Sequence, residues 1–272
     1  MNKIIGFIGG GNMASAIIGG ILKSGLTPKD QIIASDKLEE TRRLLQERFG
    51  VRTTDNNKKT AETADILFLA VKPHILPEVI ADIKDSIRCD TLLVSIAAGQ
   101  SIEAIESRFG KPLRLVRAMP NTPALVGAAM SALSPNKQVS EEELTEVISI
   151  FESFGACEVV PESMIDVVVG VSGSSPAYVY LFIEAMADAA VADGMPRPQA
   201  YKFAAQAVLG SAKMVLETNA HPGALKDAVC SPGGTTIEAV AVLEEQGMRN
   251  AVIKAQRACV EKSRKMGKEN SK

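Results

Sequence analysis

The run Gly9-Gly10-Gly11-Asn12-Met13-Ala14 constrains the fold of this chain more than any other stretch. It has the form G-x-G-x-x-A, and such a pattern alone is weak. Here it follows an apolar strand over Lys3 to Ile8 and opens a helix over Asn12 to Lys23. In that setting Gly9 permits a tight turn and Gly11 lets the backbone approach a pyrophosphate. The small Ala14 lets helix and strand pack closely. Free N–H groups and the helix dipole favour an anion at the helix start. A merely flexible glycine-rich turn is the alternative, and it leaves the flanking strand and helix unexplained. The turn predicts a dinucleotide-binding α/β fold.

The rest of the first half agrees with this. Strands are predicted over Gln31 to Ser35, Val51 to Thr53, Asp65 to Val71, Thr91 to Ile96, Leu113 to Met119, Ala128 to Leu133 and Cys157 to Val160. The runs at Asp65 and Thr91 are continuously apolar, as strands buried on both faces should be. Three more helices are predicted among them. One covers Lys37 to Phe49, with Leu38, Leu44, Leu45 and Phe49 as its apolar stripe and Gly50 as its stop. Another covers Ile75 to Ile87. A third runs to Phe154 from a capping box at Ser140 and Glu143. Alternating strands and helices imply a Rossmann-type doubly wound parallel sheet. After Pro161 the pattern is helical, with no convincing strand. Alanines crowd Ala177 to Ala212, including Ala185, Ala189, Ala192, Ala204, Ala205 and Ala207. Alanine favours helix and lets helices approach closely. The chain therefore divides into a dinucleotide-binding domain at 1–160 and an all-helical domain at 161–272. Long apolar helices leave a lone copy with much exposed apolar surface, which favours an oligomer interface over a closed bundle.

Composition removes several function classes. Of 272 residues, 46% are apolar and 23% charged, so the chain is neither disordered nor low in complexity. Lys plus Arg (30) nearly cancels Asp plus Glu (32), leaving no field that would gather nucleic acid or an anionic membrane. The basic stretch from Lys262 to Lys272 reads as a solvated helix end. Without Trp and with few aromatics the chain has no base-stacking platform. Cys89, Cys157, Cys230 and Cys259 lie far apart, with no C-x-x-C pair, and only His74 and His221 accompany them. That excludes a zinc site and predicts free thiols in a reducing cytoplasm. The uncharged run Ile4 to Leu22 approaches a membrane span in length, but its clustered glycines and Asn12 would break the helix. No membrane segment or leader is expected there.

Candidate site residues stand at several strand and helix ends. Asp36 closes the second strand, where an acid holds ribose hydroxyls and repels a 2′-phosphate. Lys37, Arg42 and Arg43 beside it are able to grip that phosphate, so the choice between NAD and NADP stays open on residues alone. Ala70-Val71-Lys72-Pro73 ends the fourth strand at the carboxyl edge, where ligands bind. Met119-Pro120-Asn121-Thr122-Pro123 leaves the sixth. Ser231-Pro232-Gly233-Gly234-Thr235-Thr236 opens a helix at Ile237 and offers backbone N–H groups and two hydroxyls to a carboxylate. A capped helix after a Pro-Gly turn is the plainer reading of the same residues.

Together these segments resemble the pyrroline-5-carboxylate reductase family, over nearly the whole chain from Ile8 to about Arg257. The resemblance takes in Ser95-Ile96-Ala97-Ala98-Gly99, Gly170 to Tyr178, His221-Pro222-Gly223, and Lys226-Asp227 leading to Thr236. It implies a Rossmann domain followed by a helical dimerisation and substrate domain, in a homodimer that assembles further into a decamer of dimers. It implies reduction of 1-pyrroline-5-carboxylate to L-proline. The hydride comes from NADPH, with NADH as the alternative donor, since Asp36 stands where some relatives carry a small hydroxyl residue. The family's coenzyme contacts map onto Gly9, Gly11, Asn12, Met13, Asp36, Asn57, Ala70, Val71, Lys72, Pro73 and Ala97. Its substrate loop maps onto Ser231, Gly233, Gly234, Thr235 and Thr236, and the Thr236 hydroxyl contacts the ring nitrogen. A protonated cyclic imine is already a strong electrophile, so orientation matters more than a powerful acid. Lys72 accordingly shapes the loop beside the nicotinamide rather than donating a proton. His74 and His221 are structural or exposed, and Tyr178 packs at a helix start. Two other functions compete: a β-hydroxyacid dehydrogenase, and a non-catalytic NAD(P)-binding regulator. The first uses a helix-borne lysine, and Ser172 to Tyr178 contains none.

Overall fold

The computed structural model describes residues 1–270, so the last two residues of the basic Lys262 to Lys272 stretch lie outside the described residues. The chain forms two compact units. One comprises Met1–Ser174 and the chain from Cys259 onward; the other is Ser175–Ala258.

The first unit is an eight-stranded sheet. Its strands are β1 (Ile5–Ile8), β2 (Ile32–Ser35), β3 (Arg52–Thr54), β4 (Ile66–Leu69), β5 (Leu92–Ser95), β6 (Arg114–Met119), β7 (Ala129–Pro135) and β8 (Gly155–Val159). They lie in the order β3-β2-β1-β4-β5-β6-β7-β8. Helices α1 (Asn12–Ser24), α2 (Glu39–Phe49), α3 (Asn57–Thr63), α4 (Leu76–Ile83), α5 (Ile102–Phe109) and α6 (Glu141–Glu152) connect them. A short turn of helix, α7 (Ile165–Val168), then runs into a π-helical segment, Val169–Gly173.

The continuous apolar runs are explained by the two faces of the sheet. Ile66 and Phe68 join one buried cluster with Phe7, Ile17, Ile21 and Phe151, while Leu67 and Leu69 join a second with Ile80, Ile83 and Ile105. Period-two alternation thus sends every residue of β4 into one core or the other. Phe7 and Phe68 stack at 4.8 Å between centroids and locate the centre of the first core.

Two sequence expectations need correction. The sheet is not wholly parallel: β7 runs antiparallel to β6, although β8 pairs parallel to β7. The connection between β6 and β7 holds only the 3₁₀ segment Thr122–Val126. It is too short for the crossover that a parallel pair requires. The predicted stripe on α2 also fails in part, because Leu38 and Leu44 are exposed while Leu45 is buried. Leu38 precedes the helix as its N-cap residue, so helical periodicity does not reach it.

The second unit is helical: α8 (Ser175–Ala192), α9 (Arg197–Thr218), α10 (Pro222–Val229), α11 (Thr235–Glu245) and the start of α12 (Met248–Asn270). Ala187, Ala200 and Ala204 are buried. Small side chains there let helices pack closely. Of the alanines singled out from sequence, Ala185, Ala189, Ala192, Ala205 and Ala207 are exposed. Tyr180, Leu181, Phe203, Leu209 and Leu216 are exposed as well. The unit is therefore not a closed bundle by itself. The helical run Glu162–Ala192 is long and apolar enough to cross a membrane by length and composition.

Candidate active site

The strand order reverses direction between β1 and β4, and a doubly wound sheet binds its ligand at the carboxyl ends flanking such a switch point. Gly9 and Ala70 follow those two strands directly. The Gly9 N–H donates to the Ser35 carbonyl at 2.8 Å, and the Ala70 N–H donates to the Ile8 carbonyl at 2.8 Å. Gly9 has φ +98°, and a Cβ there would stand 2.5 Å from the Ala70 carbonyl oxygen. Its lack of a side chain is thus required by the protein's own packing.

Gly11 differs. It is the N-cap of α1 with φ −68°, and a Cβ built on it meets no protein atom within 4 Å. Nothing in the fold of the chain demands glycine there. A ligand lying against the backbone would. The start of α1 has no side-chain cap and no acid in its first turn, so its N–H groups are left for an anion. The residues present therefore fit a dinucleotide pyrophosphate. Asn12 is exposed beside this start, Met13 packs against the core, and Ala14 is fully buried.

Asp36 is tied into the same turn. Its Oδ2 accepts the Gly10 N–H at 2.8 Å and its Oδ1 accepts the Leu38 N–H at 2.9 Å. One carboxylate thus couples the end of β2 to the glycine turn. Asn57, the first residue of α3, accepts a hydrogen bond from the Ser35 hydroxyl at 2.8 Å. Its amide reaches Asp82 at 3.4 Å. Val71 and Pro73 are half-buried and Lys72 is exposed; the Lys72 carbonyl accepts the Ile75 N–H at 2.9 Å, closing a turn into α4. Ala97 is buried just past β5. Gly9, Asp36, Asn57, Ala70 and Ala97 all stand at the carboxyl ends of parallel strands or just beyond them.

The substrate candidates lie in the second unit. The Gly234 N–H donates to the Ser231 carbonyl at 3.0 Å, with Gly233 at φ +64° inside the turn. That N–H is spent on the turn. Gly234 is the N-cap of α11, and no side-chain hydrogen bond caps this helix. The first N–H groups of α11, beginning at Thr235 and Thr236, are the ones left for a carboxylate. The plainer reading of this loop, a helix capped by its own hydroxyl, is not what the structure contains. Of the two histidines, expected to be structural or exposed, one is exposed and the other caps a helix. His74 is exposed, and His221 Nδ1 accepts the Gly223 N–H at 3.0 Å and caps α10.

Sequence reading missed Asn121 within the Met119 to Pro123 segment. It is buried, accepts the Met130 N–H at 3.0 Å and donates to the Ser172 carbonyl at 3.0 Å. It clamps the strand connection to the π-helical segment. A buried amide with two backbone partners leaves no periodic signal in a sequence.

Comparison with known proteins decides the family. A model of "Pyrroline-5-carboxylate reductase dimerisation" matches residues 162–266, and a model of "NADP oxidoreductase coenzyme F420-dependent" matches residues 4–99. The pyrroline-5-carboxylate reductase of Escherichia coli (strain K12) is 56% identical over 268 residues, covering 98% of this chain and 100% of the relative. The chain belongs to the pyrroline-5-carboxylate reductase family. Two solved members have the same fold. The Coxiella burnetii reductase superposes with TM-score 0.92 at 37% identity, over 98% of this chain and 99% of that one. The Plasmodium falciparum reductase, solved with NADP bound, gives 0.89 at 33% identity over 98% of both chains. The match to the Escherichia coli reductase runs along 98% of this chain and so takes in both units.

Proposed function

We propose that the chain reduces the C=N bond of 1-pyrroline-5-carboxylate to L-proline, the last step of proline biosynthesis. NADPH is the main hydride donor and NADH a second one. The observation that carries this reading is the full-length identity to reductases of that name. The open space over Gly11 supports the coenzyme assignment.

A bound nicotinamide supplies the hydride. The turn from Gly9 to Met13 holds the pyrophosphate by its backbone N–H groups. Asp36 and Asn57 position the adenosine end, and Ala70 to Pro73 with Ala97 flank the nicotinamide. In the second unit, the first N–H groups of α11 bind the substrate carboxylate, and Ser231, Gly233 and Gly234 shape the turn that presents them. The Thr236 hydroxyl hydrogen-bonds the ring nitrogen and fixes which face of the imine receives hydride. Held in this way, the imine carbon would be open to that hydride, and the nitrogen, already protonated, would become the amine. The rate gain then comes from alignment, worth orders of magnitude when reacting atoms are held at near-attack distance. Lys72 shapes its loop and transfers no proton.

Residues 1–160 hold the coenzyme and 161–272 carry substrate binding and dimerisation. The family models over 4–99 and 162–266 support that division. A second copy of the chain, rather than lipid or nucleic acid, covers the exposed apolar helices, and dimers assemble further into a decamer. Four free cysteines suit a reducing cytoplasm.

The test is oxidation of NADPH and of NADH by purified protein given 1-pyrroline-5-carboxylate, with a β-hydroxyacid and NADP⁺ as the control pair. Turnover of the imine alone is expected. Turnover of the hydroxyacid alone would assign a dehydrogenase, and turnover of neither would leave a binding protein.

A further inference from the structure

We infer that Glu78 sets how well this chain accepts the 2′-phosphate of NADPH, by competing with that phosphate for Lys37. The inference rests on the coenzyme reading above and deepens it.

Lys37 directly follows Asp36, the residue that links the end of β2 to the glycine turn. Three cations crowd this corner, and their partners differ in kind. The Arg42 Nη1 donates to the backbone carbonyls of Asp36 at 2.7 Å and Lys37 at 3.0 Å, so it holds the corner itself together. Arg43 pairs with Glu47 one turn along α2. Lys37 instead reaches to another element: its Nζ lies 2.5 Å from Glu78 Oε1, in the first turn of α4. Both side chains are about two-thirds exposed. A pair this exposed is weak and exchanges readily with a better partner. A 2′-phosphate is such a partner, because it carries more charge than one carboxylate and offers three acceptor oxygens.

Glu78 therefore opposes the phosphate twice. It occupies the ammonium, and it presents its own negative charge to the same space. The first turn of a helix favours an acid, which keeps Glu78 ionised. The pairing shows in both groups, since the hydrogen bond and charge of Glu78 raise the Lys37 ammonium above its ordinary value and Lys37 lowers the Glu78 carboxyl. Asp82, one turn further on α4, contacts Asn57 at 3.4 Å and Lys58 at 3.7 Å, and its charge acts on Lys37 only at a distance and less strongly than Glu78. Glu78 is the acid in direct contact with Lys37, so its removal releases the ammonium from its ion pair. It acts through Lys37, as a positioning residue rather than a catalytic one.

The experiment uses two ligands that differ only in the 2′-phosphate, 2′,5′-ADP and 5′-ADP, titrated by calorimetry into the full chain. Glu78→Gln is expected to tighten 2′,5′-ADP about fivefold, the scale of one exposed ion pair, and to leave 5′-ADP within about twofold. Raising the salt should shrink that gain. Lys37→Met in the Glu78→Gln background should abolish it. An equal gain for both ligands, or no gain for either, overturns the inference while the coenzyme site stands. A wild-type chain that binds neither ligand overturns the coenzyme reading and this inference with it.

Discussion

At the scale of single residues, Gly9 and Gly11 look alike in the sequence and do different work. A methyl on Gly9 meets the Ala70 carbonyl at 2.5 Å and sits on a backbone at φ +98°, whereas one on Gly11 meets nothing. Gly9→Ala should therefore cost at least about 2 kcal/mol of stability, from the strained φ and the clash. Gly11→Ala should cost no more than about 1 kcal/mol, as the N-cap becomes a poorer one. Yet Gly11→Ala should weaken NADPH binding more than tenfold. Melting curves beside coenzyme titrations check the pair, and equal coenzyme affinity in Gly11→Ala and wild type would remove the pyrophosphate from this turn. Asp36→Ser should raise the NADPH to NADH ratio of kcat/KM, since the carboxylate that repels a 2′-phosphate is gone. It should also weaken both coenzymes, because the Gly10 N–H loses its acceptor. An unchanged ratio would place Asp36 away from the ribose. Thr236→Ala separates chemistry from capping. No side chain caps α11, so stability should barely move. Loss of the hydrogen bond to the ring nitrogen should lower kcat/KM about ten- to a hundredfold. Steady-state kinetics with both coenzymes should show the loss without a change in coenzyme affinity. The glycine turn and the place of Asp36 at the end of β2 were legible because they belong to a pattern with a stated spacing, whereas Thr236 was singled out only through the family resemblance. The partners of Asp36 and the commitment of the Gly234 N–H were not, because turn geometry alone decides them.

At the scale of elements, legibility followed the strength of local signals. Gly25 and Gly50 close α1 and α2 in the left-handed conformation, and Gly50 stands where the sequence places the stop of its helix. Ser140 accepts the Glu143 N–H at 3.2 Å, and Glu143 accepts the Ser140 N–H at 2.9 Å, so the capping box over α6 is complete. Ser140→Ala should cost about 1 kcal/mol and leave activity of the folded protein intact. A chemical-denaturation curve reads that loss, and an unchanged midpoint would show the cap to be dispensable. The two helices that sequence reading passed over, α3 and α5, are short: Asn57–Thr63 and Ile102–Phe109. Each is capped by a polar side chain, Asn56 to the Lys59 N–H and Ser101 to the Ala104 N–H. At one or two turns a helix shows little periodicity, and its stability comes from packing against the sheet. The direction of β7 escaped for a related reason. An apolar run announces a buried strand, but only the length of its connection tells which way it runs.

At the scale of the whole molecule, the first unit buries most of its large apolar residues, whereas the second buries only alanines. Val179, Tyr180, Leu181 and Phe182 are consecutive on α8, and all four are exposed. Successive helical residues point about 100° apart, so four in a row leave α8 uncovered around most of its circumference. Only the face with Glu184 and Asp188 is charged, and so broad an apolar remainder is stable in water only when other surfaces cover it. One flat contact would cover a stripe; enclosure requires helices of another copy on more than one side. This is the reason to expect an interlocked dimer rather than two monomers touching at an edge. Such an interface should bury more than about 2,000 Å², the range of obligate dimers. The chain is expected to sediment as a dimer or a multiple of it at micromolar concentration. Leu181 is the most exposed of the four, at 67%. Leu181→Glu places a charge in the interface, and two-fold symmetry places it there twice. Burying unpaired carboxylates costs several kcal/mol each, so the variant should dissociate at least about a hundredfold more readily. Proline formation should fall with dissociation and recover when concentration drives the copies together. The coenzyme half of the site is the internal control: 2′,5′-ADP affinity should survive, because the glycine turn and Asp36 belong to the other unit. The same helix is apolar enough to enter a bilayer, so flotation with neutral vesicles completes the test. Wild type should stay with the soluble fraction. A wild-type monomer that floats with lipid would mean that the bilayer, and not a second copy, encloses α8.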